Sequence, residues 1–285
     1  MTDIQLDNRP LRATLYEIAL QAENAAQLAQ YYHDALGYVF TGEGDDLLGL
    51  ARDRRLRIRA GRPNTLGYAC YAMPERSDFT ALQRRLTKAG VGFELQPCVG
   101  MAEALRFADP DGNSFVFGLA AENPVGPLAE TADRAARLQH VVFASTDVSR
   151  LLAFFTEVVG FTLSDRVLDD HGGLRTAFMR CSEEHHSLAI FAASENRLDH
   201  HCYEAADWNL IRDWADHFAR HRIPLKWGPG RHGPGDNLFL FIHDPEGNWV
   251  EISAELETVA VDRPVGDWPH EERTLNSWGM GLLRS

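Results

Sequence analysis

Positive charge is scarce in this chain: its 285 residues carry 28 Lys and Arg against 41 Asp and Glu, a formal net charge of −13. Nucleic acid is held by clustered cations on phosphates, so a general nucleic-acid binder is not expected. Cysteine is equally thin, with Cys70, Cys98, Cys181 and Cys202 scattered and no CxxC pair. That argues against a disulfide framework and for a reducing compartment. No segment reaches the apolar length of a bilayer span, and the opening MTDIQLDNRP has no apolar stretch of the signal-peptide kind. The expectation is a soluble, cytoplasmic protein with neither membrane nor nucleic-acid partner. Hydrophobic residues at 45% and charged residues at 24% are the mixture of a folded globular protein. The length allows one large domain or two ordinary ones.

Histidine is concentrated instead. Of twelve, only His33 and His270 lie outside the stretch from His140 to His243. Helix-surface residues such as His217 and His221 account for only part of that excess.

The chain also repeats itself. LYEIALQAENAAQLAQYYHDALGY, from Leu15, aligns with LQHVVFASTDVSRLLAFFTEVVGF, from Leu138, at an offset of 123. Leu28 meets Leu151, Tyr32 meets Phe155 and Gly37 meets Gly160. Each copy reads as a strand, then an amphipathic helix, then a glycine that ends it. The stretch from Gly67 aligns with that from Asp199 at offset 132, bringing Cys70 onto Cys202 and Tyr71 onto Tyr203. FADPDGNSFVF and IHDPEGNWVEI align at offset 135, and their DPxGN runs suit tight turns. The offset only grows, as it does when a second copy gains loop residues.

Strand–helix–short strands therefore occurs twice per copy, near 12–65 and 66–122 and again near 137–195 and 197–255. The expected fold is α+β: two tandem domains, each of two βαβββ modules forming an open mixed-sheet barrel. The domains span 1–122 and 137–255, joined by an Ala/Pro/Gly-rich linker at 123–136. A tail at 256–285 carries Trp268 and Trp278, and is expected to pack on the second domain.

Duplication supplies an internal control, because each scaffold position is read twice. His140 stands where the first copy has Glu17, His200 where it has Tyr68, and Glu251 where it has Val116. Two imidazoles and a carboxylate on strands form the facial triad suited to non-haem Fe(II) or Mn(II), which leaves coordination sites open for substrate and O2. Alternation along the strands puts Leu138, His140 and Val142 on one face, His200 with Cys202, and Trp249 with Glu251 and Ser253. His201 and His185 should point to the opposite faces, and no ligand role is assigned to them.

The double βαβββ pattern with LQHVVF, LDHHCYEA, HHSLAIF, GPGRHG and DPEGNWVEI resembles type I extradiol ring-cleaving dioxygenases of the vicinal oxygen chelate superfamily. The resemblance covers roughly residues 10 to 280. It implies a catalytic second domain and a first domain without the metal. The shared L-x-H register of Leu138–His140 and Leu198–His200 favours His200 over His201. By the resemblance the ligands are His140, His200 and Glu251, with Fe(II) as the expected metal and Mn(II) as the alternative. It also implies that His186 is the acid–base residue, with His185 the runner-up, and that His232 is a second active-site histidine. Phe241 and Phe178 are the candidate pocket walls. Many family members carry a tyrosine where this chain has Phe241, and no arginine of the kind that binds carboxylated catechols is evident, so a neutral catechol is favoured. The implied partners are a catechol-type diol and O2, in aromatic compound catabolism, with a homo-oligomeric assembly. The alternatives are a glyoxalase-like isomerase or epimerase, which usually has four protein ligands, and a non-catalytic small-molecule-binding protein, which generally lacks the triad.

Overall fold

The structure, a computed structural model, describes residues 9–96, 98, 100–120 and 134–282. Most of the linker expected at 123–136 lies outside the described residues. In the first copy β1 (Thr14–Ala22) leads to α1 (Ala25–Leu36), β2 (Val39–Glu43), β3 (Asp46–Ala51) and β4 (Arg54–Ala60). The pattern recurs as β5 (Thr65–Met73), α2 (Arg76–Lys88), β6 (Glu94–Leu95), β7 (Met101–Ala108) and β8 (Ser114–Ala120). The second copy opens with β9 (Arg137–Ser145), α3 (Val148–Ala153), β10 (Thr162–Leu168), β11 (Leu174–Arg180) and β12 (Leu188–Ala192). It continues as β13 (Arg197–Ala205), α4 (Trp208–Arg220), β14 (Trp227–Arg231), β15 (Leu238–His243) and β16 (Trp249–Ala254). Strand β17 (Gly266–Pro269) and the short α5 (Glu272–Leu275) follow.

Each copy is one open mixed sheet, and the two strand orders correspond position for position. The first runs β2-β3-β4-β1-β5-β8-β7-β6, and the second runs β10-β11-β12-β9-β13-β16-β15-β14 with β17 added beside β10. Registers agree as well. Glu17 pairs with Cys70, which pairs with Val116; His140 pairs with Cys202, which pairs with Glu251. The comparison drawn from sequence offsets is thus a comparison of equivalent backbone positions.

The helices end as their sequences dictate. Asn24 accepts a hydrogen bond from the Gln27 N–H at the start of α1, and Asp147 does the same for the Arg150 N–H at α3. Gly37 closes α1 at φ 71°, where a Cβ would be strained. One expectation needs correction. The second-copy helix is not α-helical to Gly160, because Phe154–Val159 form a π-helical segment. The widened turn presents consecutive rings to the first copy, Phe154 at 6.1 Å from Phe107 and Phe155 at 5.1 Å from Phe115.

The main core lies between the copies and takes side chains from both, whereas smaller apolar clusters line the other face of each sheet. Phe115 is fully buried there, 5.5 Å from Phe143 and 5.1 Å from Phe155 across the interface. Phe115→Ala should cost about 3–5 kcal/mol, read by urea unfolding. A cost below about 1 kcal/mol would show that the copies do not stabilise one another through this core.

Strict alternation along β9 is also corrected. Leu138 belongs to the inter-copy core, while His140 and Val142 face the opposite side of the sheet. A register shift between Cys202 and Tyr203, opposite His140 and Leu138, absorbs the extra residue, Gln139. A second shift in the same pair, between Leu198 and His200, falls at Asp199. Both L-x-H stretches are therefore bulged at their middle residue, which re-aims the histidine that follows.

Candidate metal centre

The bulges do more than turn the histidines. They bring each middle side chain onto the ring it precedes: His140 Nδ1 lies 2.5 Å from Gln139 Oε1, and His200 Nδ1 lies 2.6 Å from Asp199 Oδ1. Gln139 Nε2 donates to the His186 carbonyl at 2.6 Å, which leaves Oε1 as the acceptor. Each imidazole therefore carries its proton on Nδ1 and has a bare Nε2, the tautomer that metal-binding histidines require. Those two Nε2 atoms lie 3.1 and 3.2 Å from a single oxygen, Glu251 Oε2. Neighbouring donors on an octahedral ion with bonds of about 2.1 Å stand about 3 Å apart.

His232 follows the same logic. Its Nδ1 lies 2.5 Å from the Leu275 carbonyl, which can only accept, so its bare Nε2 points to Glu251 Oε1 at 3.6 Å. The ring is stacked on Phe239 with centroids 4.0 Å apart. Lone pairs on buried imidazole nitrogens thus face a buried carboxylate with no N–H between them. A divalent cation satisfies that donor set, and an apolar occupant does not. Burial alone would raise the Glu251 pKa, but when the Nε2 atoms of His140, His200 and His232 carry protons they donate to the carboxylate and hold it well below its usual range. Burial lowers the His140 pKa, whereas at His200 the bonds that the protonated ring makes to Asp199 and Glu251 overcome burial and raise it.

Cys202 is a donor that sequence reasoning passed over. His140, Cys202 and Glu251 have donor atoms within 4.8 Å of one another, a tighter group than one including His200. Donor chemistry nevertheless favours the imidazole of His200 over this thiol. The Cys202 thiol donates to Ser253 Oγ at 3.1 Å, and burial raises its pKa well above the ordinary thiol value. The first copy also has a cysteine there, Cys70, so cysteine does not distinguish the copies. In that copy Glu17 is neutralised by Arg55 at 3.3 Å and Arg57 at 3.5 Å, with the Tyr68 hydroxyl bonded to it. Guanidinium charge takes the role that a cation would fill in the second copy.

His186 lies beside the triad, its ring centroid 4.6 Å from that of His140 and 5.2 Å from that of Phe178. Behind it stands a partner that the sequence did not reveal. His185 Nδ1 is 3.0 Å from His186 Nδ1, and His185 Nε2 makes an oblique 3.1 Å approach to Asp165 Oδ2. Asp165 is fixed by Arg263 Nη1 at 2.7 Å and Trp268 Nε1 at 2.7 Å. Burial would raise its pKa, but the His185 and Arg263 interactions prevail and lower it. With its proton on Nε2, facing the carboxylate, His185 would accept from His186 Nδ1, and His186 would present a bare Nε2. Burial, followed by the neighbouring His140 and His185, depresses the His186 pKa well below the usual value, so the ring is neutral near pH 7.

His201 turns the other way, as expected, 3.2 Å from the Tyr32 hydroxyl of the first copy. Phe178 and Phe241 both line the cavity over the triad, and Phe241 meets the His200 ring edge-on at 5.2 Å. One arginine, Arg197, does line this cavity. Its guanidinium is engaged by Asp199 at 3.4 Å and Glu195 at 3.7 Å. The bulge at Asp199 brings these groups together, which is why spacing alone missed it. His270, Thr274, Leu275 and Leu282 from the C-terminal segment complete the cavity wall, while Trp278 is 54% exposed. Among the described residues no helix is long and apolar enough to cross a membrane.

The sequence model of the Glyoxalase/Bleomycin resistance protein/Dioxygenase superfamily matches residues 137–252, which carry all three triad residues. The matched segment covers less than half of the chain. The whole chain resembles extradiol dioxygenases of this superfamily. It is 26% identical to metapyrocatechase 2 of Cupriavidus necator, over 92% of this chain and 87% of that one. It is also 26% identical to an iron-dependent extradiol dioxygenase of Rhodococcus jostii (strain RHA1), over 94% and 96% of the two chains. The Mn(II)-bound glyoxalase from Novosphingobium aromaticivorans superposes with a TM-score of 0.83 at 25% identity, covering 96% and 92%. Within the matched segment His140, His200 and Glu251 converge with His186 and His232 beside them, whereas the equivalent positions of the first sheet are Glu17, Tyr68 and Val116.

Proposed function

We propose that this protein opens the ring of a catechol-type aromatic diol with O2 by extradiol cleavage. The reaction would take place at a non-haem Fe(II), or alternatively Mn(II), held by His140, His200 and Glu251. The observation that carries this reading is the convergence of bare imidazole nitrogens on a buried carboxylate, with a neutral histidine and an aromatic-walled cavity beside it. The relatives named as extradiol dioxygenases support it. A divalent metal held by His140, His200 and Glu251 would supply Lewis acidity toward the diol and a route for electron density to O2.

The protein's own groups do the rest. His186 would accept a diol proton at Nε2 and return it to the product as the ring opens, both atoms of O2 being retained, with its Nδ1 held against His185 Nδ1 at 3.0 Å. His232 positions oxygen through Nε2. Phe178 and Phe241 hold the aromatic ring and exclude water from it. Arg197, already neutralised by Asp199 and Glu195, offers no free charge to a carboxylate, which favours a neutral diol.

The test is O2 uptake by anaerobically purified protein loaded with Fe(II) or Mn(II), across a panel of neutral and carboxylated catechols. One O2 consumed per diol, with a ring-opened acid as product, is expected. Absence of uptake with every diol would sink the proposal.

A further inference from the structure

A second cleft, of about 370 Å³, lies between the copies and plays no part in the metal centre. It is bounded by the C-terminal end of α1, the turn from β3 to β4, and α4. This is a volume in the range of small-molecule sites.

Its lining holds buried donors with nothing to donate to. Arg54 is 3% exposed, and its Nε and Nη1 have no hydrogen-bond partner among the described residues. Trp214 is 2% exposed, and its indole Nε1 is also without one among the described residues. Aromatic faces surround the charge without accepting those hydrogen bonds: the Arg54 guanidinium lies 5.6 Å from the Trp214 ring and 5.8 Å from Tyr38. Arg134 adds a second guanidinium 5.4 Å from the same indole. Arg52, His217 and His221 also line the cleft.

Among the described residues the nearby acids Asp34 and Asp53 are exposed, and neither accepts from Arg54 Nε or Nη1. Asp34, the one carboxylate in the described lining, accepts from Gln30 at 3.0 Å, and Asp53 is exposed beside Arg52 at 3.8 Å. His217 Nε2 is engaged by the Ala35 carbonyl at 3.0 Å. Two cations converging on one indole are unusual in a chain of net charge −13. A buried guanidinium without an acceptor opposes folding, and an anion in the cleft would relieve it.

We propose that this cleft binds a small oxyanion, a carboxylate or a phosphate, seated between Arg54 and the indole N–H of Trp214. Oxygen atoms accept from a guanidinium fork and an indole N–H together, which is the complement this lining lacks. Arg54 belongs to the first copy and Trp214 to the second, so the bound anion bridges them. It would also lie close to β9, because the Leu138 N–H donates to the Asp53 carbonyl at 3.1 Å beside Arg54.

The test is titration of the full-length, metal-loaded protein with inorganic phosphate and separately with acetate, at constant ionic strength. The readouts are Tm and tryptophan fluorescence. A saturable rise in Tm is expected, with a fluorescence change that is lost in Trp214→Phe. Arg54→Gln should raise the half-saturating concentration at least about tenfold. Saturation by only one of the two anions identifies the headgroup chemistry. Responses that are linear in anion concentration and equal in wild type and Arg54→Gln would overturn the proposal. Removing a buried cation can itself impair folding, so wild-type crystals soaked in selenate give an independent reading. An anomalous peak beside Arg54 supports the site, and its absence there refutes it.

Discussion

His200→Ala should leave the protein folded but poor in metal. Protein purified anaerobically, loaded with Fe(II) and desalted, should retain far less iron than wild type, with affinity reduced more than about 100-fold. The reason is that Nε2 is one of two imidazole lone pairs aimed at Glu251 Oε2, and alanine leaves that side of the ion to water. The bulge makes a graded comparison available. Asp199→Asn removes the charge that orients His200 without removing the ligand, and should cost about 10–100-fold. His201→Ala, one residue away and facing Tyr32, should retain its metal. Iron analysis by a chromogenic chelator decides among these. Equal iron in wild type and His200→Ala would mean that His140, Cys202 and Glu251, the tighter cluster, is the true donor set.

His186→Ala is expected to behave in the opposite way, with full metal and little turnover. Loss of a positioned proton-transfer group lowers kcat by about 10²–10⁴-fold. Loss of metal in this variant would make His186 a ligand rather than a base. The chain behind it predicts a milder companion. Asp165→Asn leaves the size of the side chain unchanged and removes the carboxylate charge that His185 Nε2 faces at 3.1 Å. It should lower kcat by about tenfold while diol KM and metal content stay near wild type. A change in KM alone would indicate that Asp165 only shapes the cavity through Arg263 and Trp268.

Much of the site was legible in the chain because duplication is a property of the chain. Offsets of 123, 132 and 135 place Glu17 against His140, Tyr68 against His200 and Val116 against Glu251, and the strand registers reproduce those pairings. The order of modules, the glycines that end the helices and the turns at Asp109 and Asp244 follow from short-range pattern and backbone preference. Alternation failed at Leu138 for a physical reason. A bulge is decided between two strands, so the period of one strand cannot report it.

The sequence by itself determined the two-copy βαβββ plan, the three residues that differ between the copies, and the choice of His200 over His201. Only the tertiary structure decided what those residues can do. Gln139 and Asp199 reach the Nδ1 atoms because both strands bulge there, and Asp165 finds His185 and Trp268 across large separations in sequence. Arg197 joins the cavity wall already neutralised, and Arg54 and Trp214 meet in a cleft that neither copy forms alone. Hydrogen-bond partners of buried polar groups are set by the packing of distant elements, and the repeat in the chain carries no record of them.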